Sequence, residues 1–289
     1  MIPEAEIRRM AASLRVDPMI VDLDYVIGCF LATLYRRAEA GVLCFKGGTC
    51  LRKCYYPDYR FSEDLDFTVA ERLRREELEK LLHTVVREAS DQWQIDFDAR
   101  PLRVDVVGDE YGRESYQVRV YYRGPLRRTG DPRAIRVDVT TSEVIAFPPS
   151  RRSIIHPYSD RELLAEVKVS CYDLLEMLAE KTRALGGQRT YAISRDVFDI
   201  YQLTTRQTVD VARLAAALPA KCKVKEVKFG EADAERLEER REDFRRDWER
   251  NLLHLVPSEG AVDFDVAWDA VKAFLDKVHR ASAGSKGNA

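Results

Sequence analysis

The chain has 289 residues, 45% of them hydrophobic, so it can bury a substantial core and is not a disordered protein. Its formal net charge of −2 and pI near 6.2 exclude a globally basic nucleic-acid-binding protein, so any RNA contact must come from a local patch. The cysteines lack Cys-x-x-Cys spacing, no secretory segment is evident, and the apolar runs are shorter than a membrane span. These features predict a reduced, cytoplasmic protein with free buried thiols and no membrane partner.

The first two predicted elements are helices, the second of which begins near Pro18. The apolar run Val42–Phe45 then predicts a buried strand. Glycines in the sequence Gly-Gly-Thr at residues 47–49 predict a tight turn, and Thr49 opens a helical pattern. Amide groups of Gly48 and Thr49 at this helix start would favour an anion.

A second strand is predicted from Asp64 to Val69, and its alternation places Asp64 and Asp66 on one face. Two carboxylates on one face repel each other unless a cation lies between them, and oxygen ligands suit Mg²⁺, which is often shared with substrate phosphates. A lone Asp-x-Asp is more often the solvated face of an edge strand. Its coupling to the Gly-Gly-Thr turn favours a site for Mg²⁺ and a nucleoside triphosphate (NTP). Ser62 either contacts the nucleotide or caps the local backbone.

A charged helix and three strand-like runs follow, which predicts an α+β fold with a mixed sheet and helices on one face. Their predicted bounds are Leu73–Ala89, Gln94–Val107, Ser115–Tyr122 and Ile135–Val139. Asp105 and Asp138 each lie between valines within these runs and point away from the core, so both are candidates for a third acid. Local context leaves the choice between them open.

The segment Arg119–Arg136 contains six arginines and one acid, with two tyrosines interleaved. This mixture suits phosphate contact and base stacking. A charged hairpin that keeps an edge strand from aggregating explains it equally well, so both interpretations stay open.

Two later helices carry polar residues in unusual places. Lys181 lies in the apolar stripe of a helix predicted from Tyr172 to Leu185, so its ammonium must reach water or find a polar partner. The next helix is predicted to begin with Ser194 as its N-cap, and Asp196 and Asp199 share one face of it. An acid in a first turn is often only a favourable partner of the helix dipole.

The rest of the chain reads as helical and carries no catalytic motif. A short helix is predicted to end at Pro219, followed by a basic extended connection and two further helices. Their predicted bounds are Val209–Leu218, Lys221–Phe229, Glu231–Leu255 and Phe264–His279.

The stretch Lys46–Val69 resembles the first motif of the polymerase-beta-type nucleotidyltransferases, and its form KGGT followed by RFSEDLDF resembles the AbiEii group. That group includes the toxins of abortive-infection systems and the related MenT toxins, which act on tRNA. The segments LLEMLAEKTRAL, which contains Lys181, and RDVFDIYQL, which contains Asp196 and Asp199, are similar to further segments of the group.

The resemblance implies a polymerase-beta-like nucleotidyltransferase lobe at residues 1–158 and a mostly helical lobe at 159–280 that completes the cleft. The polar composition of residues 281–289 predicts a disordered tail. It implies that Asp64, Asp66 and Asp138 hold Mg²⁺. It also implies a catalytic role for Lys181 and Asp196 beside these acids. The implied nucleotide-binding residues are Gly48, Thr49, Ser62, Lys181 and Asp199.

The implied function is that of a nucleotidyltransferase toxin of a toxin–antitoxin or abortive-infection system, which transfers a nucleotide from an NTP to the 3′ end of tRNA and so blocks translation. A separately encoded antitoxin would restrain it. Two alternatives stay open: transfer to a protein or small molecule, and a non-catalytic NTP-binding module. The presence of all three candidate acids argues against the second alternative, because a binding module has no need of a complete metal site.

Overall fold

The computed structural model describes residues 1–108, 114–188, 191–227 and 237–284. The chain divides into two units that are interleaved along the sequence. Unit 1 comprises Met1–Glu143, Pro149–Tyr172 and Leu255–Gly260, and unit 2 comprises Val144–Pro148, Asp173–His254 and Ala261–Ala289. Of the tail predicted at 281–289, residues 281–284 are helical, and 285–289 lie outside the described residues.

Unit 1 is built on a mixed sheet. Its described strands are β1 (Leu43–Lys46), β2 (Asp64–Val69), β3 (Arg103–Gly108), β4 (Glu114–Tyr122), β5 (Arg133–Thr140), β6 (Ser150–Ser153) and β7 (Lys168–Cys171). They lie in the order β3-β4-β5-β2-β1-β7-β6. β2 pairs in parallel with β5, β1 pairs in parallel with β7, and the other neighbours are antiparallel. The mixed sheet confirms the predicted α+β class.

One face of this sheet is apolar and covered. Alternation along β1, β2 and β5 turns Phe45, Leu65, Phe67 and Val137 towards this face, and all four are buried. The helices of unit 1 are α1 (Glu4–Leu14), α2 (Pro18–Arg36), α3 (Gly47–Cys50) and α4 (Arg75–Trp93). Tyr35 of α2 lies against Phe67, with ring centroids 6.4 Å apart. The opposite face of the sheet is therefore left for polar residues.

Within the described ranges, α2 is the one helix long and apolar enough to cross a membrane. Its residues 20–34 are all buried inside the protein. Asp24 is one of these buried residues, and it accepts hydrogen bonds from Arg52 Nε at 2.8 Å and Lys53 Nζ at 2.6 Å. This burial and internal charge pairing are those of a core helix.

Unit 2 is helical in the residues that are described. Its helices are α5 (Leu174–Arg183), α6 (Ser194–Arg206), α7 (Val211–Val224), α8 (Arg241–Asn251) and α9 (Phe264–Gly284). Aromatic side chains from α6, α8 and α9 pack on one another, with ring centroids 5.8 Å apart for Phe198 and Trp248 and 5.3 Å apart for Phe244 and Trp268. These contacts form the apolar centre of unit 2.

The predicted boundaries of one strand and one helix were wrong, because the local sequence pattern predicted longer elements than the structure contains. The strand predicted at Gln94–Val107 begins only at Arg103. Pro101 lacks an N–H to donate to a ladder, and before it Asp96 makes only an isolated bridge. Within the helix predicted at Glu231–Leu255, residues 237–239 are helical and α8 follows after a turn and ends at Asn251, whereas residues 228–236 lie outside the described ranges.

The prediction that Pro219 ends a helix was also wrong, because α7 continues through it to Val224. Lys221, predicted to lie in an extended connection, is a fully buried helical residue that forms an ion pair with Glu176. Its Nζ also donates to the carbonyl of Val144 at 2.8 Å. An interior proline costs a helix about 3 kcal/mol, and these buried contacts beyond it offset that cost.

Candidate active site

The polar face of the sheet carries a row of residues at facing positions. Lys46 of β1 faces Asp66 of β2, Asp66 faces Asp138 of β5, and Asp138 faces Gln117 of β4. Neighbouring strands lie about 4.8 Å apart, and facing side chains project from the same face. The row therefore brings two carboxyl groups side by side, with a lysine at one end and an amide at the other.

Asp64 lies two residues before Asp66 on the same face of β2. Its Oδ1 is buried and accepts no hydrogen bond from any described residue. Arg136 Nε is the cation paired with it, at 3.7 Å, which is too long for a hydrogen bond. A buried carboxylate oxygen without a hydrogen bond is costly, so Oδ1 is an available ligand for a cation.

The donor set of Asp64, Asp66 and Asp138 is made of carboxylate oxygens, which suit a divalent ion such as Mg²⁺. A set of three potential metal ligands whose atoms all lie within 4.8 Å occurs, among the described residues, at three cysteines and not at these aspartates. Like charges hold the carboxylates apart, and a divalent ion would draw them together. The residues fit such an ion by their chemistry and by the buried Oδ1 of Asp64, which accepts no hydrogen bond from the described residues.

Asp105 occupies the same row as Asp138 but at its far end. It faces Gln117 from β3, and β3 is three strands away from β2. This corresponds to about 14 Å at the usual strand spacing. Its Oδ2 pairs with Arg103 Nε at 2.8 Å. The structure therefore places Asp138, rather than Asp105, beside the Asp-x-Asp strand.

Burial raises the pKa of Asp138, and the charge of Asp64 raises it further, whereas Arg136, Gln117 and Lys46 oppose the rise. A carboxyl group whose pKa is raised on folding stabilises the fold below its unfolded pKa. That stabilisation is lost as the pH rises through the folded pKa.

Asp138→Asn should remove this pH dependence, because the amide resembles the protonated acid. We expect the variant to gain stability relative to the wild type as the pH rises from about 4 to about 7, the range above the ordinary aspartate pKa. Urea unfolding at a series of pH values measures this difference. A difference that stays constant over the range would contradict the expected titration.

Gly47 turns the chain from β1 into α3 next to these acids. Its φ is +77°, a left-handed conformation that favours glycine. A Cβ at this position would overlap Asp66 Oδ2. The helix thus begins at Gly47, so the prediction that it begins at Thr49 was wrong, and it continues in wider π turns from Leu51 to Tyr55. The residue after β1 must therefore be glycine for both its conformation and its closeness to Asp66.

Gly48 and Thr49 are buried, whereas Gly47 and Ser62 are half-buried. The Thr49 hydroxyl donates a hydrogen bond to the backbone carbonyl of Asp64 at 2.5 Å. The side chain of Thr49 therefore ties α3 to the strand that carries the aspartates.

Gly47→Ala is expected to lower kcat/KM by roughly 10²-fold, because a displaced Asp66 carboxylate loses its geometry. The left-handed backbone alone should cost about 1–2 kcal/mol of stability. Gly130→Ala is the matched control, since Gly130 has φ +94° and nothing within 4 Å of an added Cβ. Steady-state kinetics and thermal unfolding of both variants separate the two effects. Equal activity of the two variants would show that the contact with Asp66 does not matter.

A second row on the same face consists of arginines. Arg136 faces Asp64 on one side and Arg119 on the other, and Arg119 faces Arg103. The side chains of Arg103 and Arg136 are 66% and 64% exposed. Like charges at facing positions repel each other and destabilise a sheet unless anions offset them. The arginine row, which lies beside the aspartates, is therefore a cationic surface suited to anions.

The other arginines of the hairpin have different surroundings. Four of them line a cavity of about 270 Å³ together with Tyr122: Arg123, Arg127, Arg128 and Arg133. Arg133 donates to the Met19 carbonyl at 2.5 Å, and Tyr122 is only 2% exposed. Tyr122 is therefore a core residue, whereas the arginine row faces outward. β4 and β5 are interior strands of the sheet, so the interpretation of the hairpin as protection of an edge strand was wrong. Phosphate contact by its arginines stays a prediction.

Unit 2 contains a second polar cluster. Lys181 of α5 pairs with Asp196 at 3.0 Å and with Asp199 at 2.6 Å, both from α6. The three side chains are 13%, 5% and 0% exposed. The lysine predicted to lie in an apolar stripe thus finds its partners within unit 2. Its charge is already compensated by two carboxyl groups, which limits its pull on a further anion.

Four residues of the aspartate site were not assigned from the sequence: Lys46, Gly47, Arg103 and Gln117. Lys46 and Gly47 lie within the motif at Lys46–Val69, so the sequence indicated the region in which they lie. The positions of Gln117 and Arg103 depend on strand pairing, which no local pattern shows.

The family model described as "Nucleotidyl transferase AbiEii toxin, Type IV TA system" matches residues 29–275. The chain belongs to this family. No curated protein sequence matches the chain. Membership of the AbiEii family confirms the resemblance found in the sequence and makes the protein a nucleotidyltransferase toxin of a type IV toxin–antitoxin system.

Two solved structures share the fold of this AbiEii-family chain. MenT4, a nucleotidyltransferase toxin from Mycobacterium tuberculosis H37Rv, is 20% identical, with 98% of this chain and 89% of that chain covered and a TM-score of 0.57. JHP933 from Helicobacter pylori is 16% identical, with 94% and 97% covered and a TM-score of 0.53. At these identities the likeness shows a common fold.

AbiEii membership implies an NTP substrate and an antitoxin partner, and nucleotidyltransferases of this superfamily generally use a divalent metal. The aspartates on β2 and β5 are the oxygen donors on which such a metal would depend. The arginine row lies beside them on the same face of the sheet.

Proposed function

We propose that this AbiEii-family enzyme transfers a nucleotide from an NTP to the 3′-terminal hydroxyl of tRNA, with Mg²⁺ as its metal, and so blocks translation. The observation that carries the proposal is the facing pair of Asp66 and Asp138 beside Asp64, whose buried Oδ1 accepts no hydrogen bond from the described residues. We assign the cytoplasm as its location, since tRNA and an antitoxin would be met there.

Asp64, Asp66 and Asp138 would hold Mg²⁺, which when bound offsets the charge of the triphosphate and of the departing pyrophosphate. Asp138 is the candidate base. It faces Asp66 from the neighbouring strand, so it lies where the acceptor hydroxyl would approach the metal. The acceptor oxygen loses its proton to Asp138 and attacks the α-phosphorus. The bond to the bridging oxygen breaks, and pyrophosphate leaves with the electron pair.

The nucleotide-binding assignments belong to the same proposal. Gly48 and Thr49 would offer backbone N–H groups to the triphosphate, since the Thr49 hydroxyl is already engaged with Asp64. Ser62, half-buried just before β2, would contact the nucleotide. Lys181, Asp196 and Asp199 would contribute to nucleotide binding and catalysis from within unit 2. The similarity of their two segments to segments of the AbiEii group supports this role.

The arginine row favours a nucleic-acid acceptor over a small molecule. Arg103, Arg119 and Arg136 lie at facing positions on successive strands, so their backbone positions follow one another at about the strand spacing of 4.8 Å. A chain of phosphates can satisfy several such cations together, whereas a small neutral acceptor cannot. The whole chain has a formal net charge of −2, so the positive charge of the arginine row is a local feature that contrasts with the rest of the protein.

The test is incubation of the purified protein with Mg²⁺, each α-labelled NTP in turn, and total bacterial tRNA. We expect label on tRNA from one NTP, lost on chelation and restored by Mg²⁺. Pyrophosphate release with no label on tRNA would contradict the tRNA acceptor and favour a protein or small molecule. No pyrophosphate release with any NTP would contradict the transfer reaction itself and favour an NTP-binding module.

Arg119→Gln is expected to raise the KM for tRNA without changing nucleotide binding. The slope of log affinity against log salt should fall by about 1, as for the loss of one phosphate contact. Arg8→Gln on α1 is the control, because Arg8 is an exposed arginine that pairs only with Glu4 among the described residues. Filter binding at several salt concentrations measures the slope. An unchanged slope for Arg119→Gln would remove the arginine row from the acceptor surface.

A further inference from the structure

Three cysteines of unit 1 meet in the core, although they come from two distant parts of the chain. Cys50 ends α3, Cys54 lies in the π turns that continue it, and Cys171 ends β7. Their Sγ atoms all lie within 4.8 Å of one another. Their exposures are 0%, 5% and 0%, and all three are free thiols.

Apolar packing does not require this arrangement. Cys29, Cys44 and Cys222 are also buried and form no disulfide, yet they do not belong to such a set among the described residues. A buried thiol usually packs as a small hydrophobic group next to carbon atoms. Three sulfur atoms in mutual contact form instead the donor set of a thiophilic metal ion.

The spacing fits such an ion. Zinc–thiolate bonds are about 2.3 Å, so three sulfurs around one ion are about 4 Å apart. The observed limit of 4.8 Å needs only a small inward movement of the side chains.

Nearby groups favour a thiolate at one of the three positions. Hydrogen bonds from Cys171 and Cys50 lower the pKa of Cys54 to about 5, and the charges of Lys53 and Arg152 act in the same direction. Burial and the neighbouring thiols raise the pKa values of Cys50 and Cys171, so these two would lose their protons on binding the ion. Arg152 is held there, since its guanidinium lies 4.3 Å from the centroid of the Tyr55 ring.

We propose that Cys50, Cys54 and Cys171 form a three-thiolate site for a soft metal ion, Zn²⁺ or Cu⁺. Binding forms three metal–sulfur bonds, and each thiol that is still protonated releases its proton to solvent. The ion would tie α3, which begins at Gly47, to β7, whose Cys171 faces Phe45 of β1. The bound ion would therefore stabilise β1 and α3, the two elements that flank the turn at Gly47.

The test is titration of the reduced full-length protein with Co²⁺, as a spectroscopic substitute for Zn²⁺, and in a separate arm with Cu⁺. We expect a thiolate-to-metal charge-transfer band that saturates at one equivalent in one of the arms, with a matching rise in the thermal unfolding midpoint. Zn²⁺ should displace Co²⁺ if Zn²⁺ is the natural ion. Saturation in the Cu⁺ arm alone would identify Cu⁺.

Cys54→Ala and Cys171→Ala should each abolish the band, and Cys29→Ala and Cys222→Ala should keep it. Cys54→Ser provides a second variant if the alanine variant does not fold. A band that survives loss of Cys54, or no saturable band in either arm, would reduce the cluster to core packing. Asp66→Asn should retain the band, so this test is independent of the nucleotidyl transfer reaction.

Discussion

Asp66→Asn should lower the rate of nucleotide transfer by roughly 10³-fold or more, while the fold stays intact. Asp66 stands at the centre of the polar row, between Lys46 and Asp138. The amide keeps the shape of the side chain but removes the negative charge that a divalent ion needs. It also relieves the repulsion between facing carboxylates, so the thermal unfolding midpoint should stay the same or rise.

Asp105→Asn is the matched control for this experiment. It is the same substitution, in the same row of the same sheet, but three strands from β2. Its transfer rate should equal that of the wild type. Initial rates of pyrophosphate release and thermal unfolding curves for both variants give the comparison. Full activity of Asp66→Asn, or an equal loss in Asp105→Asn, would overturn the assignment of the metal site to β2 and β5.

Lys221→Met should lower the free energy of unfolding by about 3–5 kcal/mol, because it leaves a buried charge without its partner. Lys221 and Glu176 are both fully buried, and they form an ion pair within unit 2. Glu176 also accepts hydrogen bonds from the amides of Ala146 and Phe147, each at 2.8 Å. Methionine fills the space of the lysine but leaves the carboxylate without its cation.

Lys223→Met is the control, since Lys223 is exposed on the same helix only two residues away. It should change stability by no more than about 0.5 kcal/mol. The double variant Lys221→Met with Glu176→Leu should recover part of the loss, because no unpaired charge then remains. Urea unfolding of the three variants measures these differences. If the two single lysine variants unfolded alike, the ion pair could not be the cause.

The local parts of the site could be predicted from the sequence, because they depend on the period of a single element. Asp64 and Asp66 share a face since side chains alternate along one strand. Asp196 and Asp199 share a face since they are three residues apart on one helix. In both cases the structure brings these pairs to the partners, Asp138 and Lys181, that the family resemblance implied.

Other features could not be predicted, because they depend on which strands pair and in which register. The row of Arg103, Arg119 and Arg136 exists only when β3, β4 and β5 lie side by side. The short strands β6 and β7 have four residues each, too few for a clear alternation. The continuation of α7 past Pro219 brings Lys221 to Glu176, a partner far away in the chain that no local pattern shows.

The interleaving of the two units has a consequence for the synthesis of a toxic enzyme. The segment Leu255–Gly260 belongs to unit 1 but follows most of unit 2 in the chain. Within unit 1, the Leu255 carbonyl accepts a hydrogen bond from the amide of Phe61 at 2.7 Å, just before β2. A nascent or truncated polypeptide that stops before Leu255 lacks this acceptor. The segment that leads into β2 therefore gains this hydrogen bond only after the ribosome has passed Leu255.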